Sequence, residues 1–222
     1  MPADGSLWKR VWASRVLGRR ERELFAALRL PELRQLEWLG ARTAAKEAVV
    51  ELLRGAHGLD LLPADIEILA GEGGAPVVAA PGVERLGATP VVSLAHAQGE
   101  AAALAALGSG DAIGIDIEHL SPRPPGFAEA VVTADERRLL EGIPTDHADE
   151  WLLRCWCAKE AVGKALGTGM APGRAEAPAM VSLDRDRQEV VVRVGERRLV
   201  AHTHREGDLV VATTLPREGP RS

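Results

Sequence analysis

The chain has 222 residues, enough for one large domain or two small ones, and 46% of them are hydrophobic, so a substantial core can be buried. Much of that fraction is Ala, and with no Tyr and two Phe the core must be built mainly from Leu, Val, Ile and the five Trp. A formal net charge of -5 excludes a general nucleic-acid binder, which would carry a basic face. The opening segment MPADGSLWKR lacks the apolar stretch of a signal peptide. Apolar runs such as residues 101–107 are too short to span a bilayer, so no membrane partner is expected. Cys155 and Cys157 flank Trp156. That spacing does not suit a disulfide in a helix, and a reducing, cytoplasmic setting is expected.

In chain order, Pro31 opens a long helix that runs to about His57, where Gly58 can stop it. Strands are expected at about residues 65–69, 77–79, 91–95 and 101–107. The segment LGSGDA, residues 107–112, reads as a tight connection. Ile113 to Ile117 is a short β-branched strand. Thr133 and Glu136 have the spacing of a capping box for a short helix. A longer helix spans about residues 146–166, with Gly167 and Gly169 at its end. Residues 190–194, 199–203 and 209–214 then alternate as an antiparallel meander, with Glu206-Gly207-Asp208 turning between the last two.

A repeat links the two long helices. WLGARTAAKEAVVELL, residues 38–53, aligns without a gap on WLLRCWCAKEAVGKAL, residues 151–166, at an offset of 113, and eight of the sixteen positions coincide. The same offset pairs Pro31 with Pro144 and Glu23 with Glu136. The expectation is an α+β fold of two related subdomains, 1–110 and 111–222. Each would pack a long helix on a small, mostly antiparallel sheet, with the active site in the cleft between them.

Four segments carry chemistry. In the strand Gly114-Ile115-Asp116-Ile117-Glu118, alternate residues share a face, which puts Asp116 and Glu118 on one side about 7 Å apart. Two such carboxylates suit a hard cation such as Mg²⁺, although an ordinary acidic edge strand has the same pattern. On the helix, Trp156, Glu160 and Lys164 recur at i, i+4, i+8 on one face. A carboxylate one turn from an ammonium can ligand a metal and hold a phosphate; a plain surface Glu–Lys pair would be worth about 0.3 kcal/mol. Gly163 costs about 1 kcal/mol in an exposed helix, which weakens that plainer reading. In the first half, Arg42 and Lys46 share a helix face, and His96 ends the strand VVSLA. Together they could form an anion pocket.

These segments resemble the phosphopantetheinyl transferase family, in particular its two-lobed type that activates polyketide and peptide synthetases. The family's motifs, a G-[IV]-D-x-E strand and a helix reading W-x-x-K-E-A-x-x-K some forty residues on, stand here as GIDIE at 114–118 and WCAKEAVGK at 156–164. The resemblance extends upstream through WLGARTAAKEAV and VVSLAH and covers roughly residues 31–170. It implies transfer of the 4′-phosphopantetheine arm of coenzyme A to a serine of an apo acyl or peptidyl carrier protein, in polyketide, fatty-acid or peptide synthesis, releasing 3′,5′-ADP. Asp116, Glu118 and Glu160 would ligand one Mg²⁺, or Mn²⁺ in its place. Glu160 would act as or position the base for the serine. Lys164 would neutralise the diphosphate, with Lys159 supporting the same phosphates. Arg42, Lys46 and His96 would hold the phosphates of coenzyme A. Two positions depart from the family's pattern: Ala95 stands where a Ser often precedes the histidine, and Ala75 stands where a basic residue often precedes the proline of a G-x-P turn. The enzyme is expected to be a cytoplasmic monomer.

Two other readings use the same residues: a metal-dependent phosphohydrolase that attacks with water, and a non-catalytic module that only binds carrier proteins. The first lacks the dense Asp/His clusters usual for two-metal hydrolases, and intact Asp116, Glu118, Glu160 and Lys164 argue against the second. The repeat itself predicts an asymmetry. Glu47 occupies the place of Glu160, but Lys164 is matched by Glu51. The first-half counterpart of the GIDIE strand, expected within Leu7 to Ser14, reads LWKRVWAS and has no acid.

Overall fold

The computed structural model describes residues 5–108, 113–168 and 177–215; residues 109–112 of the expected connection and Gly169 lie outside these. The chain divides into two compact units, Met1–Gly110 and Asp111–Ser222, each a mixture of helices and antiparallel strands. Among the described residues no helix is long and apolar enough to cross a membrane.

The first unit begins with two helices, α1 (Gly5–Val16) and α2 (Arg19–Ala27). The strand expected within residues 7–14 is therefore helical. Ala13, Val16 and Leu17 are buried at helical spacing, and the Trp12 ring nitrogen donates to Thr43 Oγ1 at 3.0 Å. The long helix α3 (Glu32–His57) is capped by Pro31 and ends at Gly58, whose left-handed φ of 63° lets its N–H reach the carbonyls of Arg54 and Leu53. Its apolar stripe, Ala45, Val49 and Leu53, packs with Ile66, Ile68, Val78 and Val92. Ile66 directly precedes the first of two antiparallel pairs that supply the others, β1 (Glu67–Ala70) with β2 (Pro76–Ala79), and β3 (Pro90–Ala97) with β4 (Glu100–Leu107).

The second unit has β5 (Gly114–His119), the short helices α4 (Phe127–Val131) and α5 (Ala134–Arg137), and the long helix α6 (Ala148–Leu166). Four strands follow: β6 (Ala179–Asp184), β7 (Glu189–Val194), β8 (Arg197–Glu206) and β9 (Leu209–Thr214). They form one sheet in the order β5-β9-β8-β7-β6. The expected meander is β7 to β9. β6 was not expected from the sequence; of its residues AMVSLD only Met180 is buried. Leu153, Cys157, Ala158, Ala161 and Val162 of α6 close over Val190, Val192, Ala201, Val210 and Ala212 of the sheet. Gly114 fixes how closely: a Cβ there would run into the carbonyl oxygen of Ala161, so the first residue of GIDIE is glycine because helix backbone lies on it.

Both units are tied internally by the same buried knot. In the first, Lys46 donates to the Val16 carbonyl at 2.6 Å and pairs with Glu21. Glu21 also accepts from the N–H of Gly18 at 2.9 Å and of Ile68, in β1, at 3.0 Å. In the second, Lys159 donates to the Val131 carbonyl at 2.7 Å and to Glu136 at 2.8 Å. Glu136 accepts from Thr133 N–H, completing the expected capping box, and from Met180 N–H in β6 at 2.6 Å. The partner of Glu136 in this correspondence is Glu21. Glu23, which the gapless alignment selects, lies on the surface beside Arg19.

Lys46 and Lys159 are almost fully enclosed, which corrects the expectation that they hold phosphates. Their ammonium groups are already satisfied by a carbonyl and a carboxylate, and freeing either would strand a buried Glu. Burial alone would push the Glu136 carboxyl up, but Lys159 and the two backbone donors bring it below the ordinary value. Lys46→Ala and Lys159→Ala should therefore each destabilise the protein by about 3–5 kcal/mol in urea unfolding, the scale for breaking a buried pair from one side. Full stability with weakened coenzyme A binding would restore the phosphate-binding role.

Candidate active site

With α6 seated on Gly114, the face of β5 that carries Asp116 looks at the helix instead of at solvent. Asp116 is buried, and its Oδ1 accepts from Lys164 Nζ at 2.8 Å. Lys164 also donates to the Ile115 carbonyl at 3.0 Å, which clamps the last turn of α6 to the strand. The second carboxylate oxygen, Asp116 Oδ2, is buried and makes no hydrogen bond. The Cys157 thiol, a weak donor, also stands beside this carboxylate.

Burial, then the neighbouring Glu118, push the Asp116 carboxyl above its ordinary range, and Lys164 partly opposes them. Glu160, one turn before Lys164, is half-buried. Burial raises it as well, followed by repulsion from Asp116 and Glu118, again offset in part by Lys164. Three carboxylates thus share one field, as the spacing of GIDIE and of the helix predicts. Burial and the nearby Asp116 and Glu118 charges also push the Cys157 thiol well up, and burial pushes Cys155 to about 12. Both cysteines are free, and as buried thiols they are inert.

Glu118 is partly exposed and held by a residue not foreseen from the sequence. Both terminal nitrogens of Arg123 lie 3.3 Å from its Oε2, and Arg123 also donates to the His119 carbonyl. The guanidinium sits 5.1 Å from the centre of the Phe127 ring, and Phe127 lies 5.7 Å from Trp156. The tryptophan of the helix motif therefore supports Phe127, which in turn supports Arg123. Nothing marked Arg123 in advance: it stands in SPRPPG, where no strand or helix period applies. The same segment, with Leu120 and Phe127, lines a hollow of about 380 Å³.

The remaining candidates lie in the first unit. Arg42 stacks on Trp38, 3.3 Å from the ring centre, and burial lowers it to about 10. Its Nε is buried without a hydrogen bond, and Glu21 is 3.9 Å away. His96 Nδ1 lies 3.7 Å from Glu37 Oε2, which Arg34 also reaches at 2.8 Å. Glu47, in the place of Glu160, is exposed.

Among the described residues, no three acidic, histidine or cysteine side chains converge closely enough to hold a metal ion as they stand. Protein cations take that charge instead, Lys164 on Asp116 and Arg123 on Glu118. The donor set nevertheless fits a hard divalent ion. It is all oxygen, it contains a buried Oδ2 with no hydrogen bond, and the charges of Asp116 and Glu118 help to raise Glu160.

A model of the 4′-phosphopantetheinyl transferase superfamily matches residues 112–214. A holo-[acyl-carrier-protein] synthase from Geobacillus kaustophilus is 36% identical over 119 residues, covering 54% of this chain and 81% of that protein. The chain belongs to the 4′-phosphopantetheinyl transferase superfamily. The matched stretch of this transferase contains Asp116, Glu118, Arg123, Glu160 and Lys164. A holo-[acyl-carrier-protein] synthase from Streptococcus pyogenes serotype M28 is 35% identical over 63 residues, 26% of this chain and 53% of that protein. Among solved structures, a Bacillus anthracis holo-(acyl-carrier-protein) synthase in complex with CoA (3′,5′-ADP) aligns at 23% identity with a TM-score of 0.38, over 47% of this chain and 94% of that one.

The raised Glu160 carboxyl gives a test in which no metal is present. A carboxyl raised in the fold costs stability once it ionises, so its favourable contribution exists at low pH and is lost as pH rises through the raised value. Glu160→Gln carries no charge to bury. In EDTA it should melt above the wild type at pH 8, and the gap should close as the pH falls and Glu160 takes its proton. A variant that melts lower than the wild type at pH 8 would contradict the electrostatic picture.

Proposed function

We propose that this transferase moves the 4′-phosphopantetheine arm of coenzyme A onto a serine hydroxyl of an apo acyl or peptidyl carrier protein and releases 3′,5′-ADP. The observation that carries the reading is the buried Asp116 carboxylate, with one oxygen bound by Lys164 and the other making no hydrogen bond, facing the raised Glu160. Such a group is costly unless something uses it. Asp116, Glu118 and Glu160 would hold Mg²⁺. When bound, that ion supplies charge neutralisation for the diphosphate, which is most of what phosphoryl transfer asks of a protein.

The chain's own groups then divide the work. Glu160 takes the proton of the serine hydroxyl as its oxygen attacks the phosphorus bonded to the pantetheine arm. The upward shift of its carboxyl favours a base working near neutrality. The bond from that phosphorus to the ADP oxygen breaks, and Lys164, reaching out from Asp116, balances the charge on the leaving phosphate. Arg42 and His96 are the first unit's candidates for a coenzyme A phosphate, now without Lys46. A cytoplasmic setting accords with the two free thiols.

The test is a mass measurement on apo carriers from polyketide, fatty-acid and peptide synthases, each incubated with coenzyme A and Mg²⁺. At least one should gain the phosphopantetheine arm with Mg²⁺ and none in EDTA. Glu160→Gln should lose at least about 100-fold in kcat while staying folded, the scale for removing a group acting in the transition state. Glu47→Gln should stay within about 1 kcal/mol of wild type in transition-state stabilisation. Transfer that persists in EDTA, or equal losses in the two variants, would contradict the assignment.

A further inference from the structure

We infer that Arg123 is a positioning residue that competes with the divalent cation for Glu118 and so sets the metal affinity of the site. The inference rests on the proposed metal reading. Glu118 is the one member of the three-carboxylate group whose counter-ion, Arg123, comes from outside the two motifs. The guanidinium cannot shed its charge, so it leaves Glu118 only by moving. Its grip is suited to moving: both contacts are long, at 3.3 Å, and both fall on a single oxygen. Neither side chain is fully enclosed, at 25% and 30% exposed. Lys164, by contrast, holds Asp116 at 2.8 Å; each cation also donates to a backbone carbonyl, Lys164 to that of Ile115 and Arg123 to that of His119, so Arg123 can leave Glu118 while staying tied to the strand end.

Charge points the same way. Three carboxylates against Lys164 and Arg123 leave a small negative excess. A divalent ion added with both cations in place would turn the group positive, whereas its arrival with Arg123 released keeps it near balance. Phe127 gives the released guanidinium a ring face to rest on, at the wall of the hollow that Leu120 and Pro122 also line. Metal binding would thereby be coupled to the segment that follows β5.

The test is Mn²⁺ binding without coenzyme A or carrier, followed by the electron-spin resonance signal of free Mn²⁺, on the full chain. Arg123→Gln should bind Mn²⁺ about 5-fold more tightly than the wild type, the scale of one partly exposed ion pair. Arg123→Lys, which keeps a positive charge, should stay close to the wild type. Should Arg123→Gln not fold, Phe127→Leu, which only loosens the guanidinium, should show a smaller tightening. Unchanged or weaker binding in Arg123→Gln, or in Phe127→Leu where that variant stands in, would overturn the inference while leaving the metal reading intact, and so would Arg123→Lys binding as tightly as Arg123→Gln. A wild type that takes up no Mn²⁺ would overturn the metal reading itself, and this inference with it.

Discussion

The second unit depends on one close approach: the backbone of α6 at Ala161 lies against Gly114, where no side chain could fit. That contact covers the Asp116 face of β5, and the rest of the chemistry follows. Lys164 reaches both Asp116 and the strand carbonyl before it, and Glu160 arrives one helical turn away. Had the first residue of GIDIE carried a Cβ, the helix would stand off and the carboxylates would be solvated. Asp116 and Glu160 would then relax toward the values of ordinary surface acids. The glycine in the motif is thus a packing residue whose consequence is electrostatic.

Residues 159 and 160, adjacent on α6, show how the helix separates structure from chemistry. Lys159 turns inward, where Val131 and Glu136 satisfy it completely. Glu160 points to the other side, into a group of like charges that the fold only partly compensates. The knot at Lys159 joins α6 to the capping box of α5 and to the first residues of β6. The first unit has the same knot, at Lys46 and Glu21, but no acid in α1 and no cation at Glu51. It therefore keeps the scaffold without the carboxylate group.

The legible parts of the molecule were those with a strong period or a cap. The two long helices, their glycine ends and the β7 to β9 meander read correctly because apolar spacing and turn residues agree there. Asp116, Glu118, Glu160 and Lys164 could be placed on shared faces for the same reason. The N-terminal helix was misread as a strand because it was judged by its place in the repeat and not by the helical spacing of Ala13, Val16 and Leu17. Lys46 and Lys159 were misread because a lysine in a motif suggests a ligand, and no local pattern reveals a buried carboxylate more than twenty residues away. Glu21 was missed because the gapless frame slips by two residues before α3. Arg123 lies between prolines, outside any period, and only the fold shows what it holds.

The central claim is that Glu160 belongs to a group of partly buried like charges that a divalent ion would complete. Its own titration tests this most directly, by carbon-13 NMR of the labelled carboxyl with and without Mg²⁺. The account predicts a metal-free value above that of an ordinary glutamate, which falls on adding Mg²⁺ because the ion competes with the proton. An ordinary value that does not respond to Mg²⁺ would contradict it.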